Sequence, residues 1–66
     1  MTIQLNGEPF EVAEPATIST LLERLDIDPR RVAVEHNLVV IKKDAYSRIT
    51  VADGDHVEIV NFVGGG

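Results

Sequence analysis

The 66-residue sequence contains no cysteine and no tryptophan, and only one tyrosine and two phenylalanines. Without cysteine the chain can form no disulfide, and no cluster of cysteine with histidine indicates a structural metal site. A chain of this length buries only about 60% of the surface that its unfolded form exposes. The apolar residues, which make up 44% of the sequence, must therefore form one core unaided. We predict a single small domain of modest stability.

Long apolar runs and basic residues are also scarce. The apolar run that ends at Ile41 is far shorter than the roughly 20 residues that a membrane-spanning helix needs, and the first residues lack the basic start of a signal peptide. Eleven acidic residues against six basic ones give a formal charge of −5. This charge argues against binding to nucleic acid or to an anionic membrane. We expect a soluble cytoplasmic protein whose partners have basic docking surfaces.

The first part of the chain predicts a β-hairpin followed by a helix. Apolar and polar residues alternate on both sides of Asn6 and Gly7, a pair that tolerates the positive φ of a tight hairpin turn. Thr17 can cap a helix, and Pro29 is predicted to end it, with Ile27 packing just past the last turn. The apolar positions of this helix recur on one face: Ile18, Leu21, Leu22 and Leu25.

The second part of the chain predicts three strands. Their β-branched residues and period-two alternation place them at residues 32–37, 39–41 and 56–62. A turn at Asp53, Gly54 and Asp55 precedes the last of them. Within that last strand the alternation predicts one face with Val57 and Ile59, and an opposite face with His56, Glu58, Val60 and Phe62.

Residues 42–48 are predicted to form an irregular, exposed connection between the strands. Tyr46 is its one amphipathic residue, and Ile49 and Val51 follow as apolar anchors that return the chain to the core. Lys42 and Lys43 are most simply a pair of solvated side chains.

The element order is thus β, β, α, β, short β, β, which allows one helix to pack across one face of a mixed sheet. This α+β order fits the ubiquitin-like β-grasp, in which the first and last strands are central and parallel. We predict a β-grasp domain over residues 1–63 and a flexible tail formed by Gly64, Gly65 and Gly66. A tail without Cβ atoms can enter a channel that is too narrow for other residues.

Several short motifs are each common but form a specific combination along the whole chain. They are Asn37, the lysine pair, Tyr46, the turn at residues 53–55, the strand residues 57–59, and the closing Phe62, Val63, Gly64, Gly65 and Gly66. Together with the hairpin turn and the leucines of the helix, they resemble the bacterial sulfur carrier proteins of thiamine thiazole biosynthesis.

The resemblance implies a carrier and not an enzyme, with no cofactor and no metal of its own. In that family an adenylyltransferase similar to ubiquitin-activating enzymes uses ATP to adenylate the terminal carboxylate, here that of Gly66. Sulfur supplied through a cysteine desulfurase then replaces one oxygen and gives a thiocarboxylate. A thiazole synthase, working with a dehydroglycine and deoxyxylulose 5-phosphate, accepts this sulfur. Gly64, Gly65 and Gly66 would then occupy the channels of these partners.

The residues just before the glycines are expected to dock on the partners. If Val57 and Ile59 point into the core, Val60 and Phe62 lie on the other side of the sheet, and Val63 follows them. Exposed apolar residues that are rimmed by charge suit a surface that partners bind and release. We expect Val60, Phe62 and Val63 to form that docking surface.

Other functions remain open at this point. The small subunit of molybdopterin synthase also ends in two glycines, a ubiquitin-like modifier would be attached to lysines through Gly66, and an interaction module would not use its tail. An enzyme is the weakest alternative. His56 beside Asp53 and Asp55 is better explained by turn chemistry than by a catalytic or metal site, and His36 by its place at the end of a strand.

Overall fold

The computed structural model describes residues 1–62, which form a mixed five-stranded sheet, a separate two-stranded ladder and one α-helix. In chain order the elements are β1 Thr2–Leu5, β2 Glu8–Glu11, β3 Ala16–Thr17, α1 Ile18–Arg24, β4 Val32–His36, β5 Val39–Ile41, β6 Thr50–Val51 and β7 His56–Asn61. The predicted tail, Gly64, Gly65 and Gly66, and the predicted docking residue Val63 lie outside the described residues.

The large sheet has the strand order β2-β1-β7-β4-β5. Strands β1 and β7 run parallel, with Gln4 opposite His56, while each of the other neighbouring pairs is antiparallel. The first and last strands are therefore central and parallel, which confirms the predicted β-grasp. The central position fixes β7 between two neighbours, so its end has a defined place in the domain.

The N-terminal hairpin forms as predicted. Asn6 and Gly7 have φ values of 51° and 83°, and they connect two strands in which Leu5 pairs with Glu8. Positive φ at both central positions is the geometry of a type I′ turn, whose twist matches that of the flanking strands. The side chain of Asn6 also reaches across to β7, where its Oδ1 accepts a hydrogen bond from the amide of Ile59 at 2.7 Å.

The helix begins where the sequence predicts. The Thr17 hydroxyl accepts a hydrogen bond from the Thr20 amide at 3.2 Å, and the Thr20 hydroxyl accepts one from the Thr17 amide at 2.8 Å. These reciprocal bonds form a capping box that satisfies amides at the helix start. Ile18, Leu21 and Leu22 are buried against the sheet, and Leu25 and Ile27 pack partly buried at its edge.

The prediction that Pro29 ends the helix is wrong. The helix ends at Arg24, because Asp26 takes a φ of 59° and its amide donates to the carbonyl of Glu23. The amide of Ile27 then donates to the carbonyl of Leu22, which completes a Schellman motif. Pro29 instead begins a separate 3₁₀ turn, Pro29–Arg31.

The connection at residues 42–48 is also more ordered than predicted. It contains a 3₁₀ turn, Lys43–Ala45, and Tyr46 is only 3% exposed, so this tyrosine belongs to the core and not to an exposed loop. Burial raises the pKa of the Tyr46 hydroxyl above its ordinary value. Ile49 and Val51 return the chain to the core as predicted, but the ladder between β3 and β6 was not foreseen.

Candidate functional site

The last strand, β7, separates its side chains cleanly between the two faces of the sheet. Val57 is completely buried and Ile59 is partly buried beneath the helix, whereas Val60 is 60% exposed on the opposite face. His56 and Glu58 are exposed on that same outer face, as the alternation predicts. The strand thus anchors the core on one side and presents an apolar residue to solvent on the other.

The neighbours of Val60 on the outer face create a small apolar surface with an acidic margin. Ala33 of β4 lies directly opposite Val60, and Val40 of β5, which is 69% exposed, lies opposite Glu35 on the same face. We call Ala33, Val40 and Val60 the outer patch. Glu35 also lies opposite Glu58, and like charges that face each other across a ladder are destabilising. A partner with basic residues beside an apolar contact would relieve this repulsion.

Phe62 lies one residue beyond the end of β7 and is 52% exposed. Its amide donates a hydrogen bond to the carbonyl of Arg31 at 2.9 Å. The ammonium of Lys43 lies 4.8 Å from the centroid of the Phe62 ring, within the range of a cation–π interaction. The ring is therefore neither free in solvent nor buried in the core, since one contact holds it while half of its surface remains accessible.

Lys42 and Lys43 are both exposed, as predicted, but the ammonium of Lys43 also contacts the backbone. This ammonium donates hydrogen bonds to the carbonyl of Val32 at 2.8 Å and to that of Pro29 at 3.2 Å. In the part of the chain that the structure describes, the neighbouring Lys42 makes no such side-chain bond. Sequence periodicity could not reveal this difference, because it depends on how the turn after β5 folds back over the beginning of β4.

The start of β7 is fixed by polar side chains. Nε2 of His36 lies 2.7 Å from Oδ2 of Asp55, and Nδ2 of the Asn37 side chain donates to Oδ1 of Asp55 at 3.3 Å. Oδ1 of Asn37 accepts a hydrogen bond from the His56 amide at 2.8 Å. These bonds connect the turn between β4 and β5 to the turn that precedes β7.

The environment of Asp55 favours its ionised form. Partial burial raises the pKa of this carboxyl, but hydrogen bonds from the Ala52 amide and from the His36 and Asn37 side chains outweigh the burial and leave the pKa below its ordinary value. The histidine that pairs with the turn is thus His36, whereas His56 contributes its backbone amide. Turn geometry and strand pairing account for both histidines.

Two kinds of feature are absent from residues 1–62. No three histidine, cysteine, aspartate or glutamate side chains there are grouped so that they could hold a metal ion. None of the helices in this part of the chain is long and apolar enough to span a bilayer. The features that stand out near the end of β7 are the outer patch, Phe62 and the ammonium of Lys43.

Comparison with known proteins agrees with this geometry. The ThiS family model matches residues 3–66. A protein of Bacillus subtilis named sulfur carrier protein ThiS is 38% identical over 65 residues, which cover 97% of this chain and 98% of that protein. The crystal structure of a thiamine biosynthesis protein, ThiS, from Geobacter metallireducens has a TM-score of 0.87 and 39% sequence identity, with 100% of both chains covered.

A longer relative shares the same segment. A thiazole synthase of Paramagnetospirillum magneticum is 44% identical over 66 residues, which cover 100% of this chain but 20% of that protein. The chain thus spans about a fifth of the length of this relative, although it covers nearly all of the Bacillus subtilis protein. The family match over residues 3–66 and the similarity over whole chains establish that this chain belongs to the ThiS family.

Proposed function

We propose that this protein is a sulfur carrier in thiamine biosynthesis and that the carboxylate of Gly66 carries the sulfur. The observation that carries the proposal is the similarity over 98% of the length of a protein named sulfur carrier protein ThiS. The carrier is then a co-substrate of its partner enzymes and not itself a catalyst. Its described residues supply a scaffold, while the reactive group is the carboxylate at the end of the glycine sequence.

The chemistry of a carboxylate explains why such a carrier needs activation. A carboxylate is ionised at neutral pH, because its unperturbed pKa is about 3.3–3.7, and in this form its carbon is a poor electrophile. When a carboxylate oxygen of Gly66 attacks the α-phosphorus of ATP, pyrophosphate leaves and an acyl adenylate forms. A sulfur nucleophile at the oxidation level of sulfide then attacks the acyl carbon and displaces AMP, which leaves a thiocarboxylate on Gly66.

The three glycines suit the passage of this group into an enzyme. Gly64, Gly65 and Gly66 have no Cβ atoms, so a channel that encloses only a backbone could admit them. We divide the chain accordingly into a β-grasp domain, residues 1–63, and a reactive tail, residues 64–66. A branched side chain at Gly65 would meet the channel wall.

The outer face of the sheet is the surface on which we place the partners. Val60 and Phe62 are both more than half exposed and directly precede the tail together with Val63. An enzyme that binds this surface would hold the domain beside the group on which it acts. The facing carboxylates Glu35 and Glu58 favour a partner whose apolar contact is flanked by lysine or arginine.

The partners follow from the two stages of sulfur transfer, which are loading of sulfur onto the carrier and its donation to an acceptor. An adenylyltransferase similar to ubiquitin-activating enzymes would form the acyl adenylate. A cysteine desulfurase would supply the sulfur as a persulfide, which a thiol reductant reduces to the oxidation level of sulfide while the thiol itself is oxidised to a disulfide. A thiazole synthase would accept the sulfur from the thiocarboxylate. The last partner is supported by the thiazole synthase of Paramagnetospirillum magneticum, a fifth of which is similar to this whole chain.

Reconstitution with the adenylyltransferase tests the proposal directly. The protein is incubated with that enzyme, ATP and labelled pyrophosphate, and exchange of label into ATP reports adenylation. We expect exchange with the unmodified protein and its complete loss when the carboxyl of Gly66 is converted to an amide, because the amide oxygen is not a competent nucleophile. The melting temperature should remain unchanged.

Two glycine variants provide matched controls. Gly64→Ala adds only a methyl group and should retain most of the exchange, whereas Gly65→Val adds a branched side chain and should lose most of it. Undiminished exchange by the amidated protein would exclude Gly66 as the acceptor. Mass spectrometry of the protein from cells then distinguishes the alternatives, since replacement of one oxygen by sulfur indicates a carrier and a branched lysine peptide indicates a modifier.

A further inference from the structure

Lys43 occupies a place at which three segments of the chain meet. Its ammonium donates to the carbonyl of Pro29, which begins a 3₁₀ turn, and to the carbonyl of Val32, the first residue of β4. Val32 is the residue of β4 that lies opposite Asn61, the last residue of β7. The ammonium is therefore held by the backbone immediately beside the point at which β7 ends.

The backbone alone leaves the ring of Phe62 poorly restrained. Ladder pairing between β4 and β7 ends at Asn61, and the amide of Phe62 is tied by a single hydrogen bond to the carbonyl of Arg31. The direction of the ring is then determined by side-chain contacts. Among these contacts is that of the Lys43 ammonium, 4.8 Å from the ring centroid.

We propose that Lys43 is a positioning residue, which holds the Phe62 ring in the direction that the activating enzyme binds. The proposal rests on the function proposed above. Two carbonyl groups already fix the Lys43 ammonium, so the Lys43 side chain loses little further freedom when the ammonium contacts the ring. A contact with a preorganised group is favoured because this entropy cost is small. Half of the Phe62 surface remains exposed for the partner while Lys43 holds the ring.

The contact also fits the chemistry of a carrier that must be released after each reaction. A cation–π interaction at an exposed site is weak, about 0.5–1 kcal/mol. It restricts the ring without burying it, so the domain need not reorganise its core when a partner binds or leaves. Phe62 is the last described residue before the segment that contains the glycines, and its direction sets how the partner meets that segment.

Nuclear magnetic resonance tests the contact without any partner. Protons that lie over an aromatic face are shifted upfield by the ring current, so the ε-methylene protons of Lys43 should resonate upfield of those of Lys42. Most of the shift should disappear in Phe62→Leu, which retains an apolar side chain but has no ring, and the Tyr46 ring, whose centroid lies 6.0 Å from the ammonium, accounts for the remainder. Equal shifts for the two lysines, unaffected by Phe62→Leu, would overturn the contact.

Activation kinetics test the positioning role. We expect Lys43→Met, which keeps most of the side-chain stem but removes the charge, to raise the KM for the carrier about two- to fivefold, the factor equivalent to about 0.5–1 kcal/mol. The value of kcat should remain unchanged, because at saturating carrier every enzyme-bound molecule has the ring in the correct direction. Lys43→Arg should restore most of the affinity, and Lys42→Met serves as the matched control with an unchanged KM.

A double-mutant cycle separates positioning from direct contact with the enzyme. If Lys43 acts through the ring, Lys43→Met should raise KM in the wild-type background but have little further effect in the Phe62→Leu background. Fully additive effects would overturn the positioning role and show that Lys43 acts independently of the ring. A wild-type protein that supports no pyrophosphate exchange would instead refute the carrier function, while the ring-current measurement would still decide whether the Lys43 contact exists.

Discussion

Two valines of β7, Val57 and Val60, have identical side chains and opposite surroundings. Val57 is completely buried between the sheet and the helix, whereas Val60 is 60% exposed on the outer face beside Ala33. Both side chains suit a strand, and the difference between them arises from the side of the sheet that each one occupies. The comparison shows how a single strand can stabilise the domain with one face and offer an apolar surface to partners with the other.

The two ends of β7 differ in a similar way. Its start is fixed by hydrogen bonds among His36, Asn37 and Asp55. Near its end, Phe62 is held by one backbone hydrogen bond and by the ammonium of Lys43. Several polar contacts therefore fix the start of β7, and fewer, weaker contacts hold the residue just beyond its end.

The largest effect on stability is expected at the buried valine. Val57→Ala should lower the free energy of unfolding by about 2–3 kcal/mol, because it removes two buried methyl groups and leaves a cavity. Val60→Ala should change it by less than about 0.5 kcal/mol. Urea denaturation of the two variants measures both quantities.

The same two variants should also differ in their effect on activation of the carrier. Val60→Ala should raise the KM for the carrier in the pyrophosphate exchange reaction, while Val57→Ala should affect it only under conditions in which part of the protein is unfolded. Similar losses of stability in the two variants would show that the outer face contributes to the fold as much as the inner face does.

A smaller and pH-dependent effect is expected at the start of β7. Asp55→Asn should lower the free energy of unfolding by about 1.5 kcal/mol near neutral pH, because the ionised carboxylate accepts charge-assisted hydrogen bonds. The folded state lowers the pKa of Asp55, so its contribution is fully present above the unfolded value of about 3.9 and is lost as the pH falls through the lower folded value.

The difference in stability between the wild type and Asp55→Asn should therefore shrink below about pH 4. Urea denaturation over a range of pH checks this, with Glu8→Gln as a control at an exposed carboxylate of β2. A difference that stays constant down to strongly acidic pH would mean that the charge of Asp55 is not the source of the stabilisation.

A smaller loss of stability than at Asp55 is expected at the opposite end of β7, where Phe62→Ser removes a half-exposed ring. We expect a loss below about 1 kcal/mol, since the ring forms one weak cation–π contact. The KM for the carrier should nevertheless rise about tenfold, equivalent to about 1.4 kcal/mol of lost docking energy. Thermal unfolding and pyrophosphate exchange measure the two effects, and a large loss of stability would place Phe62 in the core instead of the docking surface.

Local sequence patterns determined much of this protein. The turn at Asn6 and Gly7, the cap at Thr17 and the alternation in β7 each depend on residues that are close in sequence, and each was predicted correctly. The order of the elements was then sufficient to predict the β-grasp with its parallel central strands. The glycine sequence and the motifs around it likewise indicate the family.

Only the tertiary structure decided which side chains meet across distant segments. The sequence pattern predicts an exposed loop for Tyr46 and does not reveal a contact for the exposed Lys43. The folded turn buries Tyr46 and brings the Lys43 ammonium to the Phe62 ring. The sequence pattern also predicts a helix that continues to Pro29. The helix ends earlier because Asp26 adopts a left-handed conformation that few residues other than glycine favour. Local pattern determines which side chains share a face of a strand or helix. The energy of a contact between distant segments depends on atoms that only the packed strands bring together.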